Sequence, residues 1–215
     1  MTVKIDLKIF LFALLFLITK QIELYALIMC LALIHELAHL ICGIILGFKP
    51  NTIKISPVGF QVLFNTYIED YNNKIKKGNK LCIKRLIIAL AGPFINILLA
   101  LFFMIIPFNN LELTHNLIYA NVLLAIFNLI PIYPLDGGRI IKEIIHIYKG
   151  REKSYEIITK FSKAVVIILT ALSSVIILYI HNIALIIILI YLWFLVIKNE
   201  QEYRLKQKLY QKINF

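Results

Sequence analysis

The sequence predicts an all-α polytopic membrane protein, with about six transmembrane helices and a short β-hairpin in the cytosolic loop after the second helix. Three observations point there. Of 215 residues, 60% are hydrophobic and the mean hydropathy is +0.84, more apolar than a soluble domain of this length carries. Those residues run in unbroken blocks such as 164–180 and 183–197, where a soluble helix would show a stripe on one face. The 23 Lys and Arg fall almost entirely in alternate inter-span segments. The same composition excludes a disordered chain, and the isolated Cys30, Cys42 and Cys82 form neither a disulfide framework nor a C-x-x-C metal site.

The first block, 5–18, is short and holds Asp6 and Lys8 near its start, so it crosses only if Lys4 and Lys8 snorkel to the headgroups, and otherwise lies in the interface. Thr19, Lys20 and Gln21 follow it where a cleavable signal peptide would place small residues. The second block is 22–48 and the third 86–106, and the polar stretch between them alternates polar and apolar residues over 52–64 around Pro57 and Gly59, the pattern of a hairpin. The fourth, 117–132, runs into Pro131, Pro134, Gly137 and Gly138, which interrupt a helix. The fifth and sixth, 164–180 and 183–197, meet at His181-Asn182 as a tight helical hairpin. Residues 1–197 thus read as one six-span domain and 198–215 as a short basic tail suited to an anionic leaflet.

With the N-terminus in the cytosol, 22 basic residues lie on one side of the bilayer and Lys20 alone on the other. Lys4 and Lys8, eight residues in 49–85, seven in 139–163 and five from Lys198 onward make up the first group, whereas 107–116 and 181–182 have none. The positive-inside rule therefore places both termini and both long loops in the cytosol. Topology accounts for the formal charge of +11, so no nucleic-acid partner is expected. His146, in the basic stretch 139–163, reads as a solvated loop histidine.

An ionisable side chain at membrane depth costs roughly 3 kcal/mol or more unless it is paired or metal-bound, so each one there is a functional candidate. His35, Glu36 and His39 share the second span as His-Glu-Leu-Ala-His. Positions i and i+4 project from one helical face about 6 Å apart, close enough for two imidazoles to hold one zinc ion. Glu36, turned by about 100° from His35, is placed to act as a general base on the metal's water. A hydrolytic zinc needs a third protein ligand, with the fourth position left to water. Cys42, at i+7 from His35 and i+3 from His39, is one candidate. Asp136 is the better one, being the only Asp beside the end of a span, past a helix broken by proline, at the same cytosolic side as the end of the second span.

Three blocks carry a family resemblance: His35-Glu36-Leu37-Ala38-His39, then Ala91-Gly92-Pro93-Phe94-Ile95-Asn96, then Asn128-Leu129-Ile130-Pro131-Ile132-Tyr133-Pro134-Leu135-Asp136-Gly137-Gly138-Arg139. Together the sequence resembles the site-2 protease family of intramembrane zinc metalloproteases, and within it the branch that acts in stage IV of sporulation. The resemblance implies His35, His39 and Asp136 as zinc ligands, Glu36 as catalytic base, and Asn128 and Pro134 in substrate engagement. The residues themselves allow Asn128 either to donate to substrate or to bond its own backbone beside the broken helix, and they read Asn96 with Gly92-Pro93 as a site of kinking and close helix packing. The resemblance further implies a membrane-associated protein substrate, cut near the cytosolic face to release a transcription factor, and inhibitory membrane proteins as partners. It implies residence in a bacterial cell membrane, including the one around the forespore. The CBS and PDZ domains of some members find no counterpart in these 215 residues.

Overall fold

The computed structural model describes residues 2–5, 17–18, 22–56, 59–65, 74–180 and 183–213, which form two compact units, Met1–Asn128 and Leu129–Phe215. The first unit holds β1 (Thr2–Ile5), α1 (Ile22–Ile45), β2 (Lys49–Ser56), β3 (Gly59–Asn65), α2 (Lys74–Ile105) and α3 (Leu111–Leu129). The second holds α4 (Asp136–Lys149), α5 (Arg151–Ile180) and α6 (Ile183–Ile213).

Helix α1 is apolar nearly all round and ends where Gly47 takes φ of +88°, a left-handed conformation that only glycine adopts without strain. Phe48 N–H then bonds back to Gly43 O at 2.9 Å, and the Lys84 ammonium, reaching over from α2, donates to Leu46 O at 2.8 Å. A cation on the last carbonyls of α1 both satisfies them and opposes the helix dipole. The chain leaves this cap as β2, the middle strand of a three-stranded sheet ordered β1-β2-β3. Strands β2 and β3 are antiparallel, from Lys49 opposite Asn65 to Ser56 opposite Gly59, with an irregularity between Pro50 and Thr52 where proline lacks a donor. The sheet lies against α1, with the Phe64 ring over Gly43 and edge-on to Phe48 at 5.9 Å.

Strand β1 corrects the sequence reading. Ile5, expected to begin the first span, instead ends a strand that pairs in parallel with β2 from Thr2 opposite Thr52 to Ile5 opposite Ile55. Val3 and Ile5 are β-branched and suit a pleated ladder, a pairing with residues 50 positions away that local patterning cannot reveal. The bulk of that expected span, 6–16, lies outside the described residues, as do Pro57-Val58 and His181-Asn182.

Helix α2 passes through Pro93 without interruption, and α3 begins at an Asn110 cap, whose Oδ1 accepts Leu113 N–H at 3.1 Å. Helix α3 stops at Leu129, three residues short of the expected fourth span. In the second unit the stretch 139–163, expected as a loop, is instead α4 and the start of α5, divided by Gly150 at φ +81°. Burial of Gly137, Gly138, Lys142 and Glu143 along α4 shows why it forms: polar residues find partners inside the unit rather than in solvent. His146 is accordingly half-buried on a helix, with Glu143 Oε2 at 3.7 Å. Helices α5 and α6 are joined by Trp193 Nε1 donating to Thr170 Oγ1 at 3.0 Å and Asn199 Nδ2 to Thr159 Oγ1 at 3.3 Å. The expected basic tail continues α6 as helix to Ile213.

Among the described residues, Tyr25–Ile45, Asn79–Ile105 and Arg151–Ser174 are long and apolar enough to cross a bilayer. Their outward positions include Ile41, Ile44, Phe94, Met104, Ile167 and Ile168, all exposed, which is the inverse of a soluble surface and suits lipid. The protein is an integral membrane protein.

Candidate metal centre

In the first unit, the middle of α1 turns His35, Glu36 and His39 inward: their exposures are 5%, 8% and 2% on a helix whose Leu33, Ile34, Leu37 and Ile41 face outward. The one-turn spacing brings the two imidazoles edge to face, with ring centroids 4.8 Å apart and an interplanar angle of 84°. Their Nε2 atoms converge to 3.2 Å. Two nitrogens each about 2.05 Å from a tetrahedral zinc stand about 3.3 Å apart, so the pair is set at the span of a shared ion.

Helix α2 fixes that geometry in two ways. His39 Nδ1 is 2.6 Å from Ile88 O, a bond in which the ring N–H donates to the carbonyl; this selects the tautomer whose Nε2 lone pair is left for a metal. One turn further along α2, Gly92 faces the imidazoles directly. A Cβ there would overlap His39 Nε2 and lie 2.5 Å from His35 Nε2 and 2.6 Å from His35 Cε1. The absent side chain is thus the space into which both ligand atoms point, and this is the physical reason for a glycine ahead of Pro93. The sequence reading of that glycine as a close-packing residue identified its size but not its neighbours. Cys42, the alternative third ligand, does not join the two histidines in a mutual cluster of ligand atoms among the described residues.

Asn96, one turn beyond Gly92, is fully buried, and neither amide atom has a hydrogen-bond partner among the described residues. Asn128 donates its Nδ2 to Leu124 O at 3.0 Å, the local backbone alternative of its two readings.

In the second unit, Asp136 is the first residue of α4 and is 4% exposed. Its carboxylate at a helix N-terminus is favoured by the dipole, and Arg139 approaches Oδ1 at 3.4 Å. Gly137 and Gly138 let α4 start this close to the preceding turn: a Cβ on Gly137 would overlap the Leu129 carbonyl, and one on Gly138 would overlap Tyr133 N and Ile132 C. Pro134 follows Tyr133 through a cis peptide and lies half-buried in that turn.

A buried pair of imidazoles at zinc-bridging distance, with a glutamate beside them on a membrane helix, is a donor set that fits a divalent metal in an integral membrane protein. The chain belongs to peptidase family M50, whose model matches residues 23–112 and 108–172. Among curated proteins it is similar to the zinc metalloprotease MJ0392 of Methanocaldococcus jannaschii, 28% identical over 179 residues that cover 80% of this chain and 47% of that protein. It therefore spans about half the length of that relative. Among solved structures it shares the fold of the site-2 protease from Methanocaldococcus jannaschii, with a TM-score of 0.68 and 24% identity over 92% of this chain and 89% of that one.

Proposed function

We propose that this protein is an intramembrane zinc endopeptidase, with His35, His39 and Asp136 as zinc ligands and Glu36 as general base. The observation that carries the reading is the convergence of the two Nε2 atoms at 3.2 Å over Gly92. All three proposed ligands are buried donors of the type zinc prefers, two imidazoles and a carboxylate. When bound, zinc supplies Lewis-acid polarisation of the scissile carbonyl and makes its water acidic near neutrality. Glu36 takes the proton from the attacking water and returns it to the departing amine, a shuttle that burial favours by excluding bulk water. Asn128, with its donor held by Leu124 O, retains Oδ1 as an acceptor for a substrate N–H, and Pro134 shapes the turn beside it in sequence.

A peptide bond inside a substrate helix is shielded, so the substrate is unwound before it is cut. A strand edge suits the resulting extended segment. Both sides of β2 are taken, by β1 and β3, so within the hairpin 52–64 the edge on offer among the described residues is the outer edge of β3. The substrate is a membrane-associated precursor cut near the cytosolic face, releasing a transcription factor as in the sporulation branch of the family, with membrane proteins as inhibitors. Six spans, both termini in the cytosol and a bacterial cell membrane, including that of the forespore, complete the proposal. The distribution of basic residues supports the orientation of the spans and termini.

The test is Glu36→Gln, assayed for zinc content and for cleavage of a co-expressed membrane precursor. Zinc retained with cleavage lost is the expected result; cleavage retained refutes the role of Glu36.

A further inference from the structure

Lys142 lies on α4, six residues after Asp136, and is 7% exposed. A buried ammonium is costly unless its charge is met, and here two aromatic faces and a carboxylate meet it. Its Nζ is 4.0 Å from the centroid of the Tyr155 ring on α5 and 5.0 Å from that of the Tyr133 ring, with Glu143 Oε1 at 3.9 Å. The two rings are themselves edge to face, 6.4 Å apart. Burial alone would lower the ammonium's pKa; Tyr133, Tyr155 and Glu143 together outweigh it and hold the pKa above its ordinary value, so the residue is a cation at neutral pH.

What this cation holds is the turn that precedes Asp136. Tyr133 stands three residues before it, and its backbone N–H donates to the buried Ser162 Oγ of α5 at 3.0 Å. Leu135 N–H bonds Ile132 O at 2.8 Å, and Gly138 admits the same backbone from the α4 side. The turn is therefore gripped through its main chain by α5 and through the Tyr133 ring by Lys142. The aim of a carboxylate on the first residue of a helix follows the direction in which the chain enters that helix. Groups that orient a ligand without touching the metal commonly change its affinity by 10–100-fold.

We infer that Lys142 is a positioning residue: its buried cation, seated on Tyr155, clamps Tyr133 and thereby fixes the turn that aims Asp136. The inference rests on Asp136 being the third zinc ligand. A lysine that merely filled space would be replaceable by Met, which has nearly the same length and apolar bulk and no charge. A clamp that works by charge is replaceable by Arg, whose guanidinium also stacks on aromatic faces.

The experiment uses the full chain purified in mild detergent, with zinc affinity measured by competition with a chromophoric chelator and apo-protein unfolding measured by temperature. Lys142→Met is expected to weaken zinc by roughly 10–100-fold with no fall in the apo unfolding temperature. Lys142→Arg is expected to stay within about threefold of the original, the low end of that range being excluded. Tyr155→Leu, which keeps bulk without a π face, is expected to weaken zinc as Lys142→Met does, and it decides the matter should Lys142→Met fail to fold. Zinc affinity unchanged in Lys142→Met or in Tyr155→Leu overturns the inference, as does equal loss in Lys142→Met and Lys142→Arg. Asp136→Ala, run alongside, separates the two readings: undiminished zinc affinity there refutes the ligand assignment itself, whatever Lys142 does.

Discussion

Gly92→Ala is the sharpest steric perturbation this structure offers, because it adds one methyl group where two imidazoles converge. The new carbon would lie 2.5 Å from His35 Nε2 and would overlap His39 Nε2 as well. Normal contact needs about 3.5 Å, so one or both rings must retreat by about 1 Å. Zinc–ligand distances tolerate about 0.2 Å, so a retreat of that size removes a ligand rather than stretching a bond. The apo protein is affected far less. Forcing a methyl into a packed site costs about 1–3 kcal/mol, while replacing glycine within a helix returns about 0.5–1 kcal/mol. The net cost to the fold is then about 2.5 kcal/mol or less, and the effect concentrates on the metal. Zinc competition titration of the variant should show at least about 100-fold weaker binding, with far-ultraviolet circular dichroism unchanged. Zinc bound as tightly as by the original protein would refute the placement of both Nε2 atoms against α2.

Three other outcomes follow from named contacts. Asn96→Ala removes a buried amide with no partner among the described residues, whose desolvation costs about 1–3 kcal/mol; its thermal unfolding temperature should hold or rise, and a fall would show that the amide is satisfied in the folded protein. Ile55→Pro deletes a donor from β2, the middle strand, and should abolish cleavage of a membrane precursor while zinc content is retained; cleavage by a stably inserted variant would count against strand-edge capture of substrate. The hydrogen bond from Arg204, aided by Lys163, holds the Glu200 carboxyl below its ordinary pKa. A depressed carboxylate stabilises the fold above its unfolded-state pKa and loses that contribution as pH falls through the folded-state value. The gap in acid unfolding between Glu200→Gln and the original protein should therefore be full above the ordinary Glu range, about 4.3, and close progressively as pH falls below it, in low salt only, since the group is partly exposed at the surface.

The convergence of the two histidines was legible in the sequence because its geometry is local: four residues of helical spacing put both imidazoles on one face, and placement at membrane depth marked them as candidates. The alternation over 52–64 likewise announced the antiparallel pair that the structure shows from Lys49 to Asn65. What escaped was nonlocal. Strand β1 depends on partners 50 positions away, so Ile5 looked like the start of an apolar span. Helix α4 looked like loop because 139–163 reads as a basic cytosolic stretch; only the folded unit shows Tyr133 and Tyr155 receiving Lys142. Gly92 reads as a small residue beside a proline, but nothing local says that histidines 53 and 57 positions earlier occupy its missing side chain. Asn96 reads as a packing residue, and only the folded unit shows its amide buried without a hydrogen-bond partner among the described residues.

Zinc K-edge X-ray absorption on the detergent-purified full chain, compared with Asp136→Ala, reads the proposed coordination directly. The expected spectrum has one zinc per chain with two imidazole nitrogens and oxygen ligands at about 2.0–2.1 Å, and Asp136→Ala loses one oxygen or the metal altogether. A first coordination sphere with sulfur or a single imidazole, or one that is identical in Asp136→Ala, would contradict it.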